Sequence, residues 1–120
     1  MNTVRNAKIT STMLGQEEHC IMTAYLMLDY GETSQPFGGF ALDRYDKTRN
    51  CRVAHVAAGA FVMGVLSALK IKRWEDLPGK VCRVKIVDEK AYAVGHFIED
   101  SWFCPREALQ EISERSEAHE

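Results

Sequence analysis

The sequence predicts an α+β fold, a mostly antiparallel sheet of about five strands with one long central helix and a short C-terminal helix. Three observations carry this. Apolar runs of strand length occupy both halves of the chain. Between them, residues 51–70 repeat their apolar side chains at helical spacing. Short polar turns separate the strand-like runs, which suits neighbours that fold back on one another. At 120 residues, 46% hydrophobic and 27% charged, the chain fits one soluble globular domain over residues 1–120.

Residues 7–14, AKITSTML, are rich in Thr and Ile and read as the first strand. The polar turn GQEEH follows. Residues 20–30, CIMTAYLMLDY, are apolar on both alternating faces. Met22, Ala24, Leu26 and Leu28 make one face; Ile21, Thr23, Tyr25 and Met27 make the other. A strand covered on both sides accounts for this, by a helix on one and a second subunit or sheet on the other. A helix is the competing reading, since Leu and Met favour helices. The loop GETSQP leads to PFGGFALD, the second half of a hairpin.

RYDKTRN, residues 44–50, reads as a charged loop, and Asn50 as the N-cap of the central helix over about 51–70. Val53, Ala57, Phe61, Leu66 and Leu69 form its apolar positions. Gly59 and Gly64 inside it cost about 1 kcal/mol each relative to Ala. Close packing on the sheet, or on a twin helix across a dimer, would offset that. RWEDLPGK, residues 73–80, is a turn and a stop. Two strands follow, VCRVKIVD (81–88) and AYAVGHFIE (91–99). In the first, Cys82, Val84 and Ile86 face inward while Arg83 and Lys85 face out. The last helix spans about 105–114, with Pro105 in its first turn. Residues 115–120 are expected to fray.

The formal net charge of -2 argues against a partner that is polymeric nucleic acid. The longest apolar run is too short to cross a bilayer, and the start MNTVRNAKIT lacks a signal-peptide pattern. A cytoplasmic protein with no membrane partner is expected. Cys20, Cys51, Cys82 and Cys104 form no C-x-x-C pair, and are expected to be reduced, most of them as small core residues. The histidines show no metal-ligand spacing, so no metal is assigned, and nothing calls for a cofactor.

Nor are catalytic residues assigned. Glu17-Glu18-His19 is the best acid–base cluster, but its place in a turn is that of a solvated surface. His96 reads either as a core or interface histidine or as a ligand contact. Cys51 has no marked partner that would activate its thiol. No nucleophile-elbow, P-loop or dinucleotide-binding motif is present.

Binding features are stronger. Phe37-Gly38-Gly39-Phe40 sets two glycines between two rings. Glycine leaves backbone N–H groups open to a phosphate, and an adjacent ring can stack on a purine. A bulge or a tight bend is the plain structural account of the same glycines. A second cluster, Trp102-Phe103 beside Arg106, adds rings and a cation. Arg83, Lys85 and Arg106 are the cations, and Tyr92 a further ring, expected to contact an anionic ligand. By the same reasoning Trp102→Ala should weaken capture more than it lowers stability.

The phrases ITSTMLGQEEH, YLMLDYG, QPFGGFALD, RWEDLPGKVCRV and YAVGHFIEDSWFCP, spread over residues 7–106, resemble the phage anti-Thoeris signal-sequestering proteins. The resemblance implies a sponge: a protein that holds a cyclic ADP-ribose isomer, and in some members a cyclic oligonucleotide, without cleaving it. It implies a homo-oligomer, a dimer or higher, acting in the cytoplasm of an infected bacterium. The positions carried over with it are Phe37, Gly38, Gly39, His96, Trp102 and Phe103. Two rival readings stand beside it. One is a phage enzyme that degrades such a signal, with Glu17, His19 or His96 as general base. The other is a protein-interaction or single-strand-binding accessory module.

Overall fold

The computed structural model of the chain describes residues 2–118. Eight strands and two α-helices are formed: β1 Asn2–Gln16, β2 Met22–Asp29, β3 Ser34–Gly38, β4 Arg44–Asp46, β5 Cys51–Val53, α1 Val56–Leu69, β6 Val81–Val87, β7 Lys90–Gly95, β8 Trp102–Phe103 and α2 Pro105–Ala118. Six strands make one antiparallel sheet in the order β3-β2-β1-β6-β7-β8. β4 and β5 form a separate hairpin. The α+β class and the antiparallel sheet are as the sequence predicts, with one strand more than expected in the main sheet.

β1 is the long central strand. Its first half pairs with β6, from Asn2 opposite Val87 to Lys8 opposite Val81. Its second half pairs with β2, across a bulge between Ile9 and Ser11. That change of partner bends the sheet. The outer edge of β3 is thereby brought up to β7, four places away in the sheet order. The sheet is thus an incompletely closed barrel with a seam between β3 and β7.

α1 packs on the inward face, against β2, β7, β8 and α2. Ala7, Ile9, Ala24, Leu26, Leu28, Phe37, Val84, Val94 and Phe103 point at it and are buried. β2 is therefore a strand, and of the two faces read from sequence the one with Ala24, Leu26 and Leu28 is turned inward. Its other face is partly covered, except that Thr23 is buried and donates to the Phe40 carbonyl at 2.7 Å. Phe61 of α1 is the hub. Its ring stacks on Phe37 at 6.1 Å, tilts on Phe40 at 6.5 Å and meets Phe103 edge-on at 5.8 Å.

Several sequence expectations are corrected here. The helix predicted over 51–70 begins at Val56, because Cys51–Val53 pairs with Arg44–Asp46. RYDKTRN is thus half strand, half turn, and Asn50 sits at φ 55°, a turn conformation rather than an N-cap. The cap is His55, whose Nδ1 accepts from Ala57 N at 3.1 Å. β7 stops at Gly95, so His96 opens a loop instead of lying mid-strand. α2 runs to Ala118, past its expected end; of the tail expected to fray, residues 119–120 lie outside the described residues. Of the cysteines, Cys82 is in the core, Cys104 is half-buried, and Cys20 and Cys51 are exposed. Among the described residues no helix is long and apolar enough to cross a membrane.

Candidate functional site

The seam between β3 and β7 opens into a cleft of about 590 Å³, within the range of small-ligand sites. Its β3 wall carries Gln35, Pro36, Phe37 and Gly38, followed by Phe40. Its β7 wall carries Lys90 and Tyr92, and Arg106 from the first turn of α2 closes one side. Pro36 explains why the seam stays open. It has no N–H to donate, so the edge of β3 cannot form a regular ladder with a strand beside it.

Of the two glycines, Gly38 is the one that close packing requires. Its φ is 110°, and a Cβ there would lie 2.6 Å from the Ala24 carbonyl oxygen and 2.8 Å from the Phe61 ring. Only glycine lets β3 lie this close to β2 and α1. Gly39, at φ 84°, spends its N–H on Ala24 O at 2.9 Å. The expectation of a free amide at Gly39 is therefore corrected: the phrase shapes the wall of the cleft, and the Gly39 amide is used within the chain.

The cations of the cleft are uncommitted. Among the described residues, neither the Lys90 ammonium nor the Arg106 guanidinium has a hydrogen-bond or ion-pair partner. Asp88, in the β6–β7 turn, is the one carboxylate among the lining residues. The Cys104 side chain beside it, first of all, pushes the Tyr92 phenol upward from the ordinary tyrosine range. At neutral pH it is a neutral ring with a polar tip, suited to holding a ligand and not to abstracting a proton.

Four of the ten residues proposed from sequence therefore meet in the seam: Phe37, Gly38, Tyr92 and Arg106. Phe37 is only 1% exposed and forms the floor. Phe103 is corrected to a core residue. Its ring lies against Gly64, where a Cβ would sit 2.4 Å from it.

Trp102, Arg83, Lys85 and His96 form a second assembly, on the sheet face turned away from α1. Register places Arg83, Gly95 and Trp102 in one row across β6, β7 and β8. The indole lies on Gly95, where a Cβ would come within 2.6 Å of the ring. Over the ring stand the Arg83 guanidinium at 4.9 Å and the Lys85 ammonium at 4.4 Å. Arg83 also donates to the carbonyls of His96 and Glu99, each at 2.8 Å. His96 Nδ1 accepts from the N–H groups of Ile98 and Glu99 at 3.1 and 3.0 Å. Trp102 Nε1 donates to Asp100 at 2.8 Å. These bonds clamp the loop of residues 96–101. The outer side of the Trp102 ring is thus occupied by cations of the chain itself, and the cluster that the sequence offers as a ligand stack acts here as a loop clamp.

The general-base candidates lie apart from the seam. Glu17 borders a more open hollow of about 560 Å³ with Glu18, Ile21, Thr23, Gly39 and Ala41, and His19 is exposed. Among the described residues no group of three or more potential metal ligands is found. Lys90, Gln35 and Pro36 are the site residues that sequence reasoning missed. Gln35 and Pro36 stand in the phrase QPFGGFALD, which carried a signal, but as a hairpin turn and not as a wall. Comparison with protein-family models, with curated proteins and with solved structures gives no match.

Proposed function

We propose that the chain captures a small anionic nucleotide-type signal of the cyclic ADP-ribose class in the β3–β7 seam and holds it without breaking it. The observation that carries this reading is the composition of the cleft: two uncommitted cations, Lys90 and Arg106, beside the rings of Tyr92 and Phe40. A guanidinium can take two phosphate oxygens at once, and a ring can stack on a base. The resemblance of the sequence to phage signal-sequestering proteins supplies the ligand class. It also supplies the setting, a homo-oligomer in the cytoplasm of an infected bacterium.

The test is capture followed by recovery. Purified protein is titrated with cyclic ADP-ribose by calorimetry, then denatured, and the released small molecule is weighed by mass spectrometry. Saturable binding with intact recovery is the expected result. At ligand a hundredfold above Kd, stability should rise by about 2.7 kcal/mol, read as a higher Tm. Release of an altered molecule would replace this reading with the degrading-enzyme one, and no binding would end it.

A further inference from the structure

A second cleft, of about 410 Å³, adjoins the seam and shares Gln35 with it. It holds a residue that breaks the pattern of its strand. On β1 the inward row reads Arg5, Ala7, Ile9, and the last two are buried. Arg5 lies opposite Val84, which is fully buried, in the row that the core would fill with an apolar side chain. The Arg5 side chain is 38% exposed, so the inward row reaches solvent here with a charge where an apolar residue is expected, and functional sites are where such breaks in patterning occur.

The guanidinium is prepared for an anion. It lies 4.9 Å from the centre of the Tyr30 ring, which fixes its plane. Burial first of all pushes the Tyr30 phenol up to about 12, so it remains a donor at neutral pH. It donates to Gln35 Oε1 at 2.5 Å, and this settles the amide orientation: Gln35 Nε2 faces the Glu89 carbonyl and donates to it at 3.1 Å. The Gln35 side chain is thus a bar across the seam between the two clefts. Exposed Thr3, Thr33 and Ser34 contribute hydroxyls to the lining around Arg5, and Ile86 and Glu89 complete it.

The present partner of Arg5 is Glu32, on the tip of the β2–β3 hairpin. The Glu32 side chain is 69% exposed. Arg5 holds its carboxyl below the usual carboxylate range, through their hydrogen bond first of all. An exposed pair of this kind contributes little to stability. A phosphate carries more charge and can accept two parallel N–H bonds from the same guanidinium, so it can displace a carboxylate at small cost.

We propose that the Arg5 cleft is a second anion-binding subsite, for a phosphate group of the ligand, and that the Glu32 carboxylate occupies Arg5 until that phosphate arrives. This deepens the reading of the seam and rests on it for the identity of the ligand; the anion chemistry at Arg5 is tested separately.

The probes are inorganic pyrophosphate and cyclic ADP-ribose, titrated by calorimetry into the full chain. Arg5→Gln should weaken pyrophosphate binding at least tenfold. Glu32→Gln should tighten it several-fold, because the competing carboxylate is gone; a merely structural ion pair would not produce that gain. Far-UV circular dichroism checks that both variants fold, and Glu32→Gln alone decides the matter if Arg5→Gln does not. Pyrophosphate affinity that is unchanged in Glu32→Gln, or no pyrophosphate binding by either it or the natural chain, overturns the proposal. Arg106→Ala separates the two readings. If it abolishes cyclic ADP-ribose capture while Glu32→Gln changes nothing, the seam stands and the subsite falls. If Glu32→Gln tightens pyrophosphate binding while Arg106→Ala leaves nucleotide capture intact, the subsite stands and the seam reading falls.

Discussion

In the seam, Tyr92 and Phe40 stand beside Lys90 and Arg106; on the opposite face of the sheet, Trp102 lies under Arg83 and Lys85. Both regions combine rings with cations. They differ in whether the cations are committed. Arg83 is tied to two loop carbonyls and to the indole, while Lys90 and Arg106 have no hydrogen-bond or ion-pair partner among the described residues, Arg106 only facing Tyr92 electrostatically. A cation already bound to a ring stabilises the fold; an uncommitted one is open to a ligand, which is the role proposed above for Lys90 and Arg106. Composition cannot separate these cases, because commitment depends on which strands meet.

The largest expected effect tests the wall of the seam. Gly38→Ala forces a Cβ to within 2.6 Å of a backbone oxygen, at a φ of 110° that alanine disfavours. A loss of about 3 kcal/mol or more is expected in urea unfolding, because neither the strand nor the carbonyl can yield cheaply. A loss below about 1 kcal/mol would mean that β3 does not lie this close to β2.

The next prediction reverses one made from sequence. Trp102→Ala should remove the surface that Arg83, Lys85 and Gly95 share, costing about 2 kcal/mol, somewhat less than a fully buried tryptophan. Capture of cyclic ADP-ribose by the folded variant should change less than about twofold, which is about 0.4 kcal/mol. Capture lost with stability retained would return Trp102 to the ligand site and erase the distinction between the regions.

A smaller effect concerns the segment that carries Phe40 past the seam. Asp43 accepts from Arg52 at 2.7 Å and from the Met22 N–H at 3.1 Å, anchoring this segment to β2 and to the β4–β5 hairpin. The bond from Arg52 first of all holds the Asp43 carboxyl below its ordinary range in the folded chain. Its stabilisation is therefore fully present above the unfolded carboxyl range and is lost as pH falls through the lower folded value. Asp43→Asn should lower Tm at neutral pH and flatten this acid limb. Parallel melting curves of variant and natural chain through the acid range would contradict the assignment.

The smallest effect on stability is expected at Arg106, which is exposed at the start of α2. Arg106→Ala should leave Tm nearly unchanged and weaken ligand capture about tenfold or more, which is about 1.4 kcal/mol. Calorimetry on a variant of unchanged Tm checks both halves together.

Much of the fold was legible because period-two patterns report local pleating. The faces of β2 and the inward Cys82 and Val84 of β6 were read correctly from alternation alone. The β4–β5 hairpin was missed because each strand is three residues long, and Val53 also fits the helical repeat that follows it. The extra length of β1 was hidden in a polar start, whose strand character comes from its partner β6. Of the cleft lining, Tyr92 and Arg106 were singled out from sequence as a ring and a cation. Lys90 and Gln35 were not, because the bulge in β1 and the curl of the sheet bring together segments far apart in sequence: Gln35 and Glu89 are separated by 54 positions. The seam is a property of closure, and closure is not written in any single strand.

The most direct test of the central claim is a paired titration of cyclic ADP-ribose into the natural chain and Arg106→Ala, with the ligand recovered afterwards. The account predicts saturable binding by the natural chain, at least tenfold weaker binding by the variant, and intact ligand from both. Equal affinity in the two proteins, or no binding to the natural chain, would contradict it.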